Sequence, residues 1–118
     1  MQIDALAHMD RLREIAFSFP GITEASCYGT PAFYVNKKLL ARLKEDGLSL
    51  VIYTGDREAL IDSEPAIYFV TDHYRNYPMM LVRLGAATQK QLRDLFQSAW
   101  QARASKKLLK DYEKRKDQ

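Results

Sequence analysis

Between residues 32 and 53, three β-rich runs follow one another with only short polar links, and this clustering constrains the fold more than any other feature of the chain. Ala32-Phe33-Tyr34-Val35 and Leu39-Leu40-Ala41-Arg42-Leu43 are separated by Asn36-Lys37-Lys38, a length and chemistry that suit a hairpin. Glu45-Asp46-Gly47 then supplies a glycine able to take positive φ ahead of Leu48-Ser49-Leu50-Val51-Ile52-Tyr53. Links this short join antiparallel neighbours, because a parallel crossover needs about a dozen residues or more. An earlier strand is expected around Ala25–Tyr28, ending at Gly29-Thr30-Pro31, where Pro31 lacks the N–H that a ladder requires.

Helical periodicity flanks this block. Leu6, Met9, Leu12, Ala16 and Phe19 recur every three or four residues from Asp4 to Phe19, which predicts one apolar face of an amphipathic helix. Asp4 is positioned to cap that helix, its carboxylate accepting from first-turn N–H groups, and Pro20-Gly21 stops it. A short helix is expected over Asp56–Glu64, with Ala59, Leu60 and Ile61 facing inward and Pro65 closing it. Ile67-Tyr68-Phe69-Val70 reads as a brief strand, residues 71–78 as a loop, and Met79–Leu84 as a buried strand interrupted by Arg83. Thr88 and Gln91 form a capping-box pair before a final helix whose apolar face is Leu92, Leu95, Phe96, Ala99 and Trp100. That stripe weakens at Ala104-Ser105 and resumes at Leu108, Leu109 and Tyr112, which predicts a kink or a second short helix ending in a solvated, fraying tail. Strands that cluster instead of alternating with helices define an α+β class. The expectation is a single compact domain over residues 1–118, with a twisted antiparallel sheet of about five strands packed against N-terminal and C-terminal helices.

Composition narrows the setting. With 47% apolar residues in 118 there is enough material for one core. No window approaches the roughly 18 uninterrupted apolar residues of a membrane span. Met1-Gln2-Ile3-Asp4 lacks the basic start and apolar stretch of a secretory signal. Cys27 is the sole cysteine and has no internal disulfide partner, so a reducing, cytoplasmic setting is expected. The net charge of +3 is unevenly spread: residues 103–118 carry +4 and the remaining body −1. The basic excess is therefore a property of the tail, about residues 105–118.

The run Tyr28-Gly29-Thr30-Pro31-Ala32-Phe33-Tyr34-Val35, followed by Lys38-Leu39-Leu40-Ala41-Arg42-Leu43, resembles the MmcQ/YjbR family of small bacterial proteins. Phe19-Pro20-Gly21-Ile22-Thr23-Glu24, Glu64-Pro65, Tyr68-Phe69-Val70, His73-Tyr74-Arg75, Tyr77-Pro78 and Val82-Arg83-Leu84 extend the likeness, as do Ala99-Trp100 and Ser105-Lys106-Lys107-Leu108, over about residues 3–110. The chain departs from the pattern at Asn76, where a glycine is expected, and in the basic tail after Leu109. The resemblance implies a fold similar to frataxin's, a twisted antiparallel sheet backed by helices, and it brings the DNA-binding label that family members commonly carry. Fold likeness alone does not establish function.

Two binding surfaces follow from the residues. In a DNA-binding reading, Lys37 and Lys38 sit at a hairpin tip, and Arg42 and Lys44 lie farther along the second strand. Alternation puts Arg42 on the face opposite Ala41 and Leu43. His73, Tyr74, Arg75 and Tyr77 mix cations with rings that stack on bases, and Lys106, Lys107 and Lys110 add phosphate partners. Charged hairpin tips are also ordinarily just solvated, and edge lysines guard against aggregation. No helix-turn-helix, zinc-finger or RNA-recognition signature accompanies these residues, so non-specific affinity of about 10⁻⁴ to 10⁻⁶ M is the natural expectation. The alternative is a small-ligand or protein-interaction cleft, with Tyr28, Phe33, Tyr34 and Trp100 as walls and Arg75 and Arg83 as anchors, joined by Tyr74 and Tyr77. Arg83 either faces solvent by alternation or pairs with an acid such as Asp72.

Catalysis and metals find less support. Cys27 with His73 formally makes a thiol–imidazole pair, yet nothing in the spacing fixes their separation. His8 lies beside the apolar stripe of the first helix, and two histidines with one cysteine do not make a metal-ligand pattern. An iron site on the first helix would need an acidic face, yet Asp4, Asp10 and Glu14 are balanced by Arg11 and Arg13. The tail has too few apolar residues for firm membrane insertion. The expected protein is not an enzyme, uses no cofactor, takes DNA as its partner and no membrane, and is a monomer or a weak homodimer.

Overall fold

A computed structural model of the protein describes residues 3–116. In chain order its elements are α1 (Ile3–Ala16), β1 (Ile22–Cys27), β2 (Thr30–Val35), β3 (Lys38–Leu43), β4 (Ser49–Tyr53), α2 (Arg57–Ser63), β5 (Tyr68–Phe69), a 3-10 turn (Asp72–Tyr74), β6 (Met79–Arg83), α3 (Gln89–Arg103) and α4 (Lys106–Lys116). The strands form one sheet in the order β1-β2-β3-β4-β6-β5, every pair antiparallel. The α+β class is thus as expected, with six strands in place of about five.

Turn chemistry explains the meander. The β2–β3 hairpin turns on Asn36 and Lys37, both left-handed at φ 51° and 63°, which matches the twist of the flanking strands. Gly47, at φ 72°, closes the β3–β4 link, where Asp46 Oδ1 accepts from the Leu48 amide at 2.9 Å. Asn76, by contrast, is not among the residues with positive φ, so its position makes no demand for glycine.

Helices α1 and α3 cover one face of the sheet. Phe33, Ala41, Leu43, Leu50, Ile52, Met80 and Val82 meet Met9, Leu12, Ile15, Leu92, Phe96 and Trp100 there. All five predicted α3 residues are buried, and the Thr88–Gln91 capping box is formed in both directions. In α1 the stripe shifts: Leu6 is 53% exposed, whereas Ile15 is fully buried beside Met9, Leu12 and Ala16. Spacing defines a face but not how far along the helix the sheet reaches. The helix also ends at Ala16, short of Phe19, where the Ser18 hydroxyl donates to the Ile15 carbonyl at 2.6 Å and competes with continued helix. The capping role expected of Asp4 concerns a side chain outside the described residues. In α2, Ala59 is exposed and only Leu60 and Ile61 pack against the core.

The tail is docked, contrary to the expectation of a fraying end. Ala104 is extended, and Ser105 Oγ accepts from the Leu108 amide at 3.2 Å to start α4. Tyr112 then packs edge-on against Trp100 and Phe19, with ring centroids 5.0 and 5.7 Å away. Leu108 approaches Gly21 so closely that a Cβ there would lie 2.6 Å from a leucine methyl. Long-range hydrogen bonds complete the helix side. Trp100 Nε1 donates to the Pro20 carbonyl at 2.9 Å, and Arg11 Nη2 donates to that of Leu84 at 2.8 Å.

Candidate functional site

Strand register builds a second row on the face without helices. Ala32 pairs with Arg42, Arg42 with Val51, Val51 with Leu81 and Leu81 with Phe69. Ala32, Val51 and Leu81 are fully buried, and Arg42 is only 5% exposed. Alternation therefore puts Arg42 on the predicted face, but that face is covered at this point. Its nucleic-acid role as a solvent-facing cation is corrected accordingly.

The guanidinium is held by a fixed set of acceptors. Arg42 Nε donates to Tyr74 Oη at 3.1 Å, Nη1 to Thr30 Oγ1 at 2.9 Å and Nη2 to Glu45 Oε1 at 3.0 Å. Tyr28 completes the enclosure, its ring centroid 5.5 Å from the Arg42 guanidinium carbon. Burial works against the Arg42 charge, but the bonds to Tyr74 and Glu45 outweigh it, so its pKa lies above the ordinary value. Glu45 is held below the usual carboxylate range by its own backbone amide and by Arg42. Thr30 Oγ1 in turn donates to the Cys27 carbonyl at 2.9 Å.

The covering segment runs from Thr71 to Pro78, and a second arginine shapes it. From the start of α2, Arg57 Nη1 donates to the carbonyls of Tyr74, Tyr77 and Met79 at 3.1, 2.8 and 3.0 Å, and Nη2 to that of Arg75 at 2.8 Å. One guanidinium thus ties together four carbonyls of the loop and the start of β6, of which those of Tyr74 and Tyr77 also accept turn amides. On this scaffold His73 meets Tyr74 edge-on at 4.6 Å and lies near-parallel to Tyr77 at 6.4 Å. Between these rings and the β1–β2 turn lies a cleft of about 240 Å³, lined by Cys27, Tyr28, Leu39, Arg42, His73, Tyr74, Tyr77 and Met79. A neighbouring depression of about 310 Å³ is bordered by Lys44, Glu45, Thr71, His73 and Tyr74.

The alternative cleft expected from sequence does not assemble as a unit. Phe33 and Trp100 are fully buried in the helix-side core, because Phe33 points opposite to Ala32 and Trp100 sits in the α3 stripe. Tyr34 is half-buried and bonds to Cys27, which with burial raises its phenol pKa. Arg75 is exposed and paired with Asp72 at 2.7 Å. Arg83 is exposed on β6, its guanidinium 4.1 Å above the Phe69 ring, two strands beyond β3. It takes the solvent-facing alternative, and Asp72 serves Arg75 instead. Only Tyr28 of that set lines the cleft, with Tyr74 and Tyr77. Sequence reasoning missed Arg57, Thr30 and Glu45: the Arg57 contacts span 17 to 22 positions, while Thr30 reaches Arg42 across the β2–β3 hairpin and Glu45 sits three positions from it, in a link with no periodicity.

Five of the remaining predicted basic residues belong to the β2–β3 turn and to α4. Lys37 and Lys38 are exposed at the β2–β3 turn. Val35, next to that turn, pairs with Ile22, which follows the Gly21 against which α4 docks. Lys106, Lys107 and Lys110 are exposed on α4, and none of these five lysines joins an ion pair among the described residues. Lys44 is half-buried at the other end of β3. Among the described residues no three His, Cys, Asp or Glu side chains gather as a metal site, and no helix is long and apolar enough to cross a membrane.

No family model matches the chain. Over 58 residues it is 40% identical to uncharacterised proteins of Mycobacterium tuberculosis and Mycobacterium bovis, a match covering 49% of this chain and 45% of theirs. The chain thus matches less than half the length of these curated relatives. Among solved structures it is similar to the Deinococcus radiodurans protein DR2400, a DUF419 domain, with a TM-score of 0.66 and 20% identity. That likeness covers 78% of this chain and 75% of the other. It shows a shared α+β fold.

Proposed function

We propose that the protein is a non-enzymatic DNA-binding module of the MmcQ/YjbR type, holding the polymer mainly through phosphate contacts. The observation that carries this reading is the set of exposed lysines outside any ion pair among the described residues, Lys37 and Lys38 at the β2–β3 turn and Lys106, Lys107 and Lys110 on α4, which docks on Gly21 just before β1. Uncompensated cations release phosphate counterions when they bind, whereas a cation already bonded to a carboxylate has less to offer. Arg42 and Arg75 therefore drop out of the phosphate set, being bonded to Glu45 and Asp72. The resemblance to a family labelled DNA-binding points the same way, and a lone cysteine suits a reducing, cytoplasmic setting.

A salt titration of oligonucleotide binding tests it. Affinity should fall linearly with the logarithm of salt, and each lysine replaced by alanine at positions 38, 107 or 110 should flatten the duplex slope by roughly 0.9. Arg75→Ala should leave the slope nearly unchanged. Absence of binding at low ionic strength refutes the reading.

A further inference from the structure

We propose that the cleft over Arg42 receives a nucleobase, stacked on Tyr28 and Tyr77, so that the preferred polymer is single-stranded; this rests on the nucleic-acid reading above. The first observation is Tyr28 itself. It stands at φ 53° beside Gly29 at φ 78°, in a two-residue turn that favours Asn, Asp or Gly. A left-handed conformation is strained for a non-glycine residue, and with the side chain 83% exposed, burial returns little of that. What the fold gains from the ring is its contact with the Arg42 guanidinium, 5.5 Å from the centroid, and the rest of the ring faces solvent. A ligand would meet that exposed part.

The second observation is the opposite wall. Tyr77 is 58% exposed, yet its backbone carbonyl is fixed by Arg57, as are those of Tyr74, Arg75 and Met79. A backbone held in place before binding gives up little further freedom when a planar partner arrives. Volume restricts the partner further. At about 240 Å³ the cleft falls below the roughly 300–1,000 Å³ of sites for drug-sized ligands, so it takes one flat group and not a whole cofactor.

Polarity at the floor suits a base edge better than a phosphate. Glu45 offsets the Arg42 charge, and Tyr74 Oη accepts from Arg42 while its own hydrogen remains to donate. The phosphate has a separate place nearby, since Lys44, in no ion pair among the described residues, borders the adjoining depression. Lys44 borders the cleft side of the sheet two positions beyond Arg42, whereas Lys38 pairs with the core residue Val35 and belongs to the helix side.

The test compares a fluorescent oligothymidylate, a duplex of equal length and thymidine monophosphate. Tyr28→Ala and Tyr77→Ala should each weaken oligothymidylate binding roughly 5- to 150-fold while leaving duplex affinity and salt slope unchanged. Tyr28→Gly, which suits the turn, should do the same without lowering the melting temperature. Equal affinity for the two polymers, with the tyrosine variants binding like the unmodified protein, overturns the cleft inference and leaves the phosphate reading intact. If neither polymer binds while thymidine monophosphate shifts the His73 and Tyr77 ring resonances, the base site stands and the polymer reading falls. If nothing binds, both fall.

Discussion

On the helix side of the sheet, Phe33, Leu50, Ile52 and Met80 meet Leu12, Phe96 and Trp100, and apolar surface makes up the centre of the core. On the other side the same strands bury Ala32, Val51 and Leu81 around a guanidinium, under a loop gathered by another guanidinium. The first arrangement is non-directional and covers its aromatic rings, apart from the half-exposed Phe17 that packs on Phe33. The second depends on donor and acceptor geometry, and it leaves Tyr28 and Tyr77 in solvent. One sheet thus separates the task of holding the fold from that of presenting a surface.

Substitutions on the two sides should separate these tasks, beginning with the largest effect. Trp100→Ala removes a fully buried indole, its contacts with Phe19 and Tyr112, and the bond to Pro20. It should destabilise the protein by about 3–5 kcal/mol in urea unfolding. Arg42→Ala should cost less, about 1–3 kcal/mol. Removing one partner of a fully buried ion pair is worse, but Glu45 is 58% exposed and its carboxylate stays hydrated. An equal loss from both variants would break the contrast between the faces.

Arg57→Ala should act locally. Amide exchange across residues 71–79 should accelerate several-fold while the core amides of β3 and β4 keep their protection. Uniform acceleration would mean that the loop and the core open together.

The smallest effect concerns pH. Glu45 has its pKa depressed in the folded state, so its contribution is present above the ordinary carboxylate range and is lost as pH falls through the depressed value. Glu24, bonded to Arg13 on the helix side, follows the same rule. Glu45→Gln and Glu24→Gln should each flatten the acid side of the stability profile slightly, because both carboxylates are partly solvated.

Much of the helix-side architecture was legible because it is periodic. The α3 stripe, the capping box and the Asn36-Lys37 turn are local signals, and each has a local physical cause. Arg42 shows where such signals stop. Alternation assigns its face correctly, but its burial depends on Tyr74, thirty-two positions away, and on Tyr28 across the turn. Arg57 gives no sequence hint, since an arginine opening a seven-residue helix looks like an ordinary surface residue. Phe33 and Trp100 were grouped with the cleft aromatics because composition reports ring content and not the face of the sheet to which each ring belongs.

The direct test of this division is Tyr28→Gly, with unfolding midpoint and oligothymidylate affinity measured on the same sample. If the helix-free face is built to present rings, the midpoint holds or rises slightly as the left-handed strain is relieved, and affinity falls at least several-fold. A midpoint that drops sharply while affinity stays unchanged would make Tyr28 a structural residue and contradict the account.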